Sequence, residues 1–120
     1  MEKNMKIARY KEIPSVRMEN DVAKGIEARV LIGKNDGATN FCMRIFEIAP
    51  NGHTPKHVHE WEHEIFIHAG KGEVFKNGAF VPVEAGTAIF IPGNEEHQMK
   101  NTGSETLVFI CLIPSGYPEI

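Results

Sequence analysis

Six histidines occur in the chain, and three of them fall inside one heptapeptide, His57-Val58-His59-Glu60-Trp61-Glu62-His63. Imidazole is the commonest metal-ligand side chain. The cluster therefore has two readings: a solvated polar loop, or one half of a metal site completed from elsewhere in the chain. On a β-strand, side chains at i and i+2 share a face, so His57 and His59 point the same way. On a helix they would diverge by about 200°. A straight strand would carry His63 roughly 13 Å past His59, at about 3.3 Å per residue. One metal ion, with Zn–N-type bonds of about 2.0–2.1 Å, cannot span that distance. The metal reading thus requires the chain to bend within Glu60-Trp61-Glu62, with Pro55 just upstream, and a fourth ligand from another strand.

The elements that would hold such a site are short strands. Turn signals recur at Asn35-Asp36-Gly37, Pro50-Asn51-Gly52, Gly70-Lys71-Gly72, Asn77-Gly78, Ala85-Gly86, Pro92-Gly93-Asn94 and Asn101-Thr102-Gly103. Between them lie runs rich in Ile, Val, Phe and Thr: Ala28–Ile32, Phe41–Ile48, Glu64–His68, Glu73–Lys76, Thr87–Ile91 and Thr106–Ile113. Regularly spaced short strands predict an all-β sandwich or barrel. No window between Ala28 and Ile113 carries a helical period. Asn77-Gly78 predicts a two-residue hairpin, because both residues tolerate positive φ. Residues 1–25 are more polar, and read as an edge strand or an arm crossing to a second subunit. Residues 26–114 read as the barrel core of a single domain spanning 1–120.

The composition sets limits on function. At 120 residues, 42% hydrophobic and 24% charged, the chain can bury a core without disulfide staples. A net charge of −3 supplies no basic field, which argues against nucleic acid and anionic membrane as partners. The start, MEKNMKIARYKEI, carries no apolar run of the length a secretion signal needs, and no segment approaches the length of a membrane span. Cys42 and Cys111 both sit in apolar runs and read as free thiols of a reducing cytoplasm.

Two groups of residues in register resemble the paired motifs of the cupin superfamily. The first family motif is Gly-x5-His-x-His-x3,4-Glu-x6-Gly; here His57 and His59 match its histidines and Glu64 its glutamate. The second is Gly-x5-Pro-x-Gly-x2-His-x3-Asn, matched by Gly86, Pro92, His97 and Asn101. Asn51 and Asn94 replace two of the motif glycines, and asparagine tolerates the left-handed conformation better than most residues. Gly70 and Gly72 straddle the place of a third. The resemblance covers Ala28 to Pro114 and implies a cupin-type double-stranded β-helix, the jelly-roll barrel.

One departure bears on chemistry: His63 immediately precedes Glu64, so the two compete for the third ligand position. The string HVHEWEHEIF, with the RVLIG run and the CLIP ending, is similar to small single-domain manganese cupins with four-histidine sites. That similarity implies His57, His59, His63 and His97 as ligands, with Glu64 on the opposite face as the alternative. It also implies that Phe109 and Cys111, which share a face of the last long strand with Leu107, line the pocket. Arg44 reads either as an anion anchor in the barrel mouth or as an edge residue on a solvated face. His53 reads as a solvent-facing loop residue, and His68 as sharing the outer face with Glu64.

Four neutral imidazoles leave a divalent ion its full charge and, in an octahedral ion, two open positions. Such a site suits a metal that binds small oxygen ligands and changes redox state. The resemblance thus implies a manganese-dependent oxidoreductase, dioxygenase-like or peroxide-using, acting on a small organic molecule. Iron, nickel, copper, cobalt and zinc are alternative ions. The alternatives in function are a non-catalytic metal- and small-ligand-binding module, or a cupin isomerase. Apolar residues on both faces of the outer strands, as at Val30, Ile32, Ile45 and Phe66, predict a homodimer.

Overall fold

In the computed structural model, which describes residues 4–120, nine strands follow one another with only two short 3-10 turns, Tyr10–Glu12 and Lys34–Asp36. The strands are β1 (Val16–Met18), β2 (Lys24–Ile32), β3 (Phe41–His53), β4 (His63–Ala69), β5 (Lys71–Lys76), β6 (Ala79–Glu84), β7 (Ala88–Ile91), β8 (Met99–Lys100) and β9 (Leu107–Pro114). They form one antiparallel sheet in the order β6-β5-β8-β3-β9-β4-β7, with β2 also paired to β3 and β1 to β2. The sheet curls on itself as the jelly-roll barrel expected of a cupin. No helix among the described residues is long and apolar enough to cross a membrane.

Alternation along the strands builds the interior. Ile26 and Ala28 of β2, Phe46 and Ile48 of β3, Ile65 and Ile67 of β4, and Leu107 and Phe109 of β9 are all buried. The ladders set them side by side: Ala28 opposite Phe46, Phe46 opposite Phe109, Ile67 opposite Phe109. The rings of Phe46 and Phe109 stack with centroids 5.2 Å apart. The Asn77-Gly78 hairpin is present, with φ of +50° and +82° inside the Lys76–Ala79 pair.

Of the two N-terminal readings the structure has the edge strand, and three other readings need adjustment. The polar N-terminal region supplies a short edge strand, β1, on this chain's own β2, and residues 1–3 lie outside the described residues. β2 and β3 run longer than their apolar cores, to Lys24 and His53, so His53 closes a strand opposite Lys100 and does not sit in a loop. Val30 packs against the core and Ile45 is 2% exposed; of the four residues expected on an outer apolar surface, only Ile32 and Phe66 are there. His57 makes an isolated bridge and His59 lies in extended chain without ladder partners, so the pair does not ride on a continuous strand.

Candidate metal centre

His57 and His97 come together across an antiparallel bridge in which each backbone N–H donates to the other residue's carbonyl, at 3.1 and 3.0 Å. The chain leaves that bridge through His59 and bends at Glu60 and Trp61. It re-enters the sheet at His63, the first residue of β4, with its side chain inward and Glu64 outward. The second-motif turn holds the bend in place. Asn94 N–H donates to His59 O at 2.7 Å, and Gly93 lies so close to Glu60 O that no Cβ fits between them. Both asparagines that replace motif glycines adopt the left-handed conformation, Asn51 at φ +68° and Asn94 at +65°. Asn101 closes the second motif from within. Its Nδ2 donates to Ile48 O and Glu105 O, and its Oδ1 accepts from Gly103 N–H.

The result is a compact set of four imidazoles. One nitrogen from each of His57, His59, His63 and His97 lies within 4.8 Å of all the others. Backbone carbonyls fix two of the rings. His59 Nδ1 donates to Trp61 O and His97 Nδ1 to Glu95 O, both at 2.9 Å. A carbonyl only accepts, so each Nδ1 carries the proton and each Nε2 keeps its lone pair. Burial lowers the pKa of His59; burial, then the neighbouring His97 and His59, holds His57 down at about 4. Burial, then the Arg44 charge, holds His63 at about 3. These three rings are neutral at neutral pH, as metal ligands must be.

His63 is held differently. Its Nδ1 lies 3.0 Å from Cys111 Sγ and 3.3 Å from Arg44 Nη2, and Arg44 Nη2 also donates to Cys111 Sγ at 3.0 Å. Guanidinium only donates, so a proton on His63 Nδ1 has the sulfur as its acceptor. These contacts place Arg44 inside the barrel, 7% exposed, beside the histidine set, and the edge position on a solvated face is excluded. Burial raises the Cys111 thiol pKa, against the lowering effect of Arg44. Cys42 is likewise buried, and both cysteines are free.

The four histidines form one wall of a cavity of about 330 Å³ that Phe109, Cys111 and Arg44 also line. Several lining residues escaped the sequence reading. Trp61 stacks on His59 at 4.0 Å and also on Tyr117 at 4.6 Å. Pro118 and Ile120 of the C-terminal segment reach the same cavity, and Arg44 Nη1 donates to Glu119 O. Nothing periodic marks that tail, although an aromatic inside the predicted bend was a usable signal. His53 and His68 stay outside the set, and the Glu64 carboxylate lies on the opposite face of β4.

The donor set fits a divalent metal ion: four converging nitrogens, with the rings of His59, His63 and His97 fixed by their outer nitrogens and no carboxylate among the donors. Comparison with known proteins gives the family. Residues 44–113 match the cupin domain family. An oxalate-binding protein from Thermotoga maritima is 34% identical over 89% of this chain and 92% of its own length. The structure superposes on a polyketide cyclase from Streptomyces resistomycificus with a TM-score of 0.89, at 35% identity over 96% of this chain and 82% of the other. It superposes on a predicted oxalate decarboxylase from Thermotoga maritima at 0.81, with 31% identity over 92% and 99%.

Proposed function

Since the chain belongs to the cupin domain family, we propose that it is a metal-dependent oxidoreductase acting on a small organic molecule, with His57, His59, His63 and His97 as its metal ligands. The observation that carries this is the convergence of four imidazole nitrogens on one point at the wall of a cavity. A divalent ion there supplies Lewis acidity and open positions for oxygen donors, and manganese or iron adds redox change. We assign manganese first, with iron, nickel, copper, cobalt and zinc as ions the same nitrogens accept. The chain's own residues do the rest. His59 and His97 are oriented by backbone carbonyls, His63 by Cys111 and Arg44, and the apolar walls keep water from the bound molecule.

The test is oxygen or peroxide consumption by the manganese- and iron-loaded protein over a panel of small organic acids and phenols. Consumption that requires both metal and substrate supports the oxidoreductase. Binding without turnover gives the second reading, a ligand-holding module, which the relative named as an oxalate-binding protein favours. Rearrangement or cyclisation without oxygen uptake would place it with the non-oxidative cupins, a reading supported by the polyketide cyclase neighbour. The proposal includes a homodimer, supported by exposed Ile32, Phe66 and Phe90 on the sheet's outer surface. A sedimentation mass of one chain at micromolar concentration would remove that part. Two buried free thiols support a reducing compartment such as the cytoplasm.

A further inference from the structure

The cavity beside the histidines combines two properties that one simple ligand does not satisfy. Its body is hydrocarbon: Phe46, Trp61, Ile65, Met99 and Phe109 face it. Its charge is positive and unbalanced. Arg44 lines it at 7% exposure, and among the described residues no carboxylate lies within ion-pairing distance of that guanidinium. The nearest acidic residue in contact, Glu119, offers only its backbone carbonyl, because its carboxylate accepts from Lys34 N–H. Arg44 Nε is buried with no hydrogen-bond partner at all. No Asp or Glu lines the cavity, and the four histidines that do bring no acidic group to it.

A buried guanidinium without a counter-charge is costly, and a divalent ion on four neutral ligands adds to the same sign. We propose that the missing charge arrives with the ligand. The substrate class is an aromatic-sized organic anion, such as a hydroxy-aromatic carboxylate. Its charged oxygens lie towards Arg44 and the histidine set, and its ring lies against Phe46, Phe109 and Trp61. This deepens the proposed function and rests on its metal site. A cavity of about 330 Å³ suits such a molecule, within the usual size of organic-ligand sites. A small dianion such as oxalate satisfies the charge and leaves the apolar wall unused. A neutral aromatic fills the wall and leaves Arg44 unpaired.

The experiment uses zinc-loaded protein, so that binding is read without redox turnover, and compares 3-hydroxy-2-naphthoate, its methyl ester and oxalate by calorimetry. Quenching of Trp61, the chain's single tryptophan, supplies a second readout at the cavity wall. The expected result is naphthoate binding at least tenfold tighter than either the ester or oxalate. The Arg44→Met variant loses at least tenfold of the naphthoate affinity and little of the ester affinity, and Arg44→Lys recovers part. Equal binding of acid and ester, or tighter binding of oxalate, overturns the proposal; so does Arg44→Met binding naphthoate like the wild type. The acid–ester comparison needs no variant and decides the question even if Arg44→Met does not fold. Metal content measured on the same samples separates the outcomes. Failure to take up metal defeats the proposed function, whereas full uptake with reversed ligand preference defeats only the substrate class.

Discussion

Three strands, β3, β4 and β9, run side by side through the barrel, and their two ends are built from different chemistry. At one end the inward residues are Ile48, Ile67 and Leu107, all fully buried among aliphatic neighbours. Four residues away on each strand, the same inward positions are Arg44, His63 and Cys111, with His63 Nδ1 and Arg44 Nη2 both within 3.0 Å of Cys111 Sγ. Backbone geometry is shared, since Ile48 opposes Leu107 and Arg44 opposes Cys111 in one unbroken ladder. The alternation that makes a barrel therefore fixes which residues face inward and leaves their chemistry free. Aliphatic packing is concentrated at one end and polar side chains capable of ligation at the other.

Substitutions at the two ends should separate these properties. The largest effect is expected for His63→Ala, which removes one of four converging nitrogens. Its metal affinity should fall by more than the ~100-fold typical of losing an outer hydrogen-bond partner, with the fold retained. Glu64→Ala, on the outer face, should keep its metal; equilibrium dialysis of both variants decides between the two as third ligand. At the aliphatic end, Ile67→Ala should cost about 2–5 kcal/mol of unfolding free energy and leave metal affinity per folded molecule unchanged. Loss of metal in Ile67→Ala, or of stability alone in His63→Ala, would break the separation.

Cys111 tests the boundary. Cys111→Ala removes the acceptor beside His63 Nδ1 and should weaken metal binding by about 10–100-fold, with little change at His59 or His97, whose acceptors are carbonyls. Protons should act on the same end. The folded-state pKa values of His57 and His63, near 4 and 3, lie below the ordinary 6.5, so folding disfavours their protonation. The metal-free protein should hold its Tm between about pH 7 and 8 and lose stability as pH falls from 6.5 towards 4. A Tm that is flat across that window would show that the two rings are not held neutral. The smallest effect is expected at the turn: Asn94→Ala, at φ +65°, should cost about 1 kcal/mol, and Asn94→Gly less.

The aliphatic end was the more legible in sequence, because alternation is a local property and each strand carries it alone. The runs containing Ile48, Ile67 and Leu107 were all placed on strands, and the Asn77-Gly78 turn fixed its own hairpin. At the polar end the histidine spacing predicted a bend at Glu60–Glu62, and the bend is there at Glu60 and Trp61. What stayed hidden was contact between distant segments. The partners of Arg44 lie 19 and 67 residues away, and a single strand pattern cannot show which end of the barrel an arginine occupies. Pro118 and Ile120 reach the cavity, and Tyr117 stacks on Trp61, from a tail with no periodicity, so only the folded chain places them. The ends of β2 and β3 were missed because Lys24 and Pro50-Asn51-Gly52 look like strand breakers, and the ladders carry on through bulges there.

The position of β9 has a consequence for how the chain is made. It is the last of these nine strands to be synthesised, yet it lies in the middle of the sheet, between β3 and β4. Until Leu107–Pro114 has emerged from the ribosome, β3 and β4 each present an unpaired edge, and those edges include Ile45, Phe46, Ile65 and Ile67. The pairing that closes them spans a long loop, which makes it slow and leaves the nascent chain open to association with other chains. Chaperone dependence during synthesis should therefore fall abruptly when β9 is released, and a chain arrested before Leu107 should aggregate even though it already carries all four histidines.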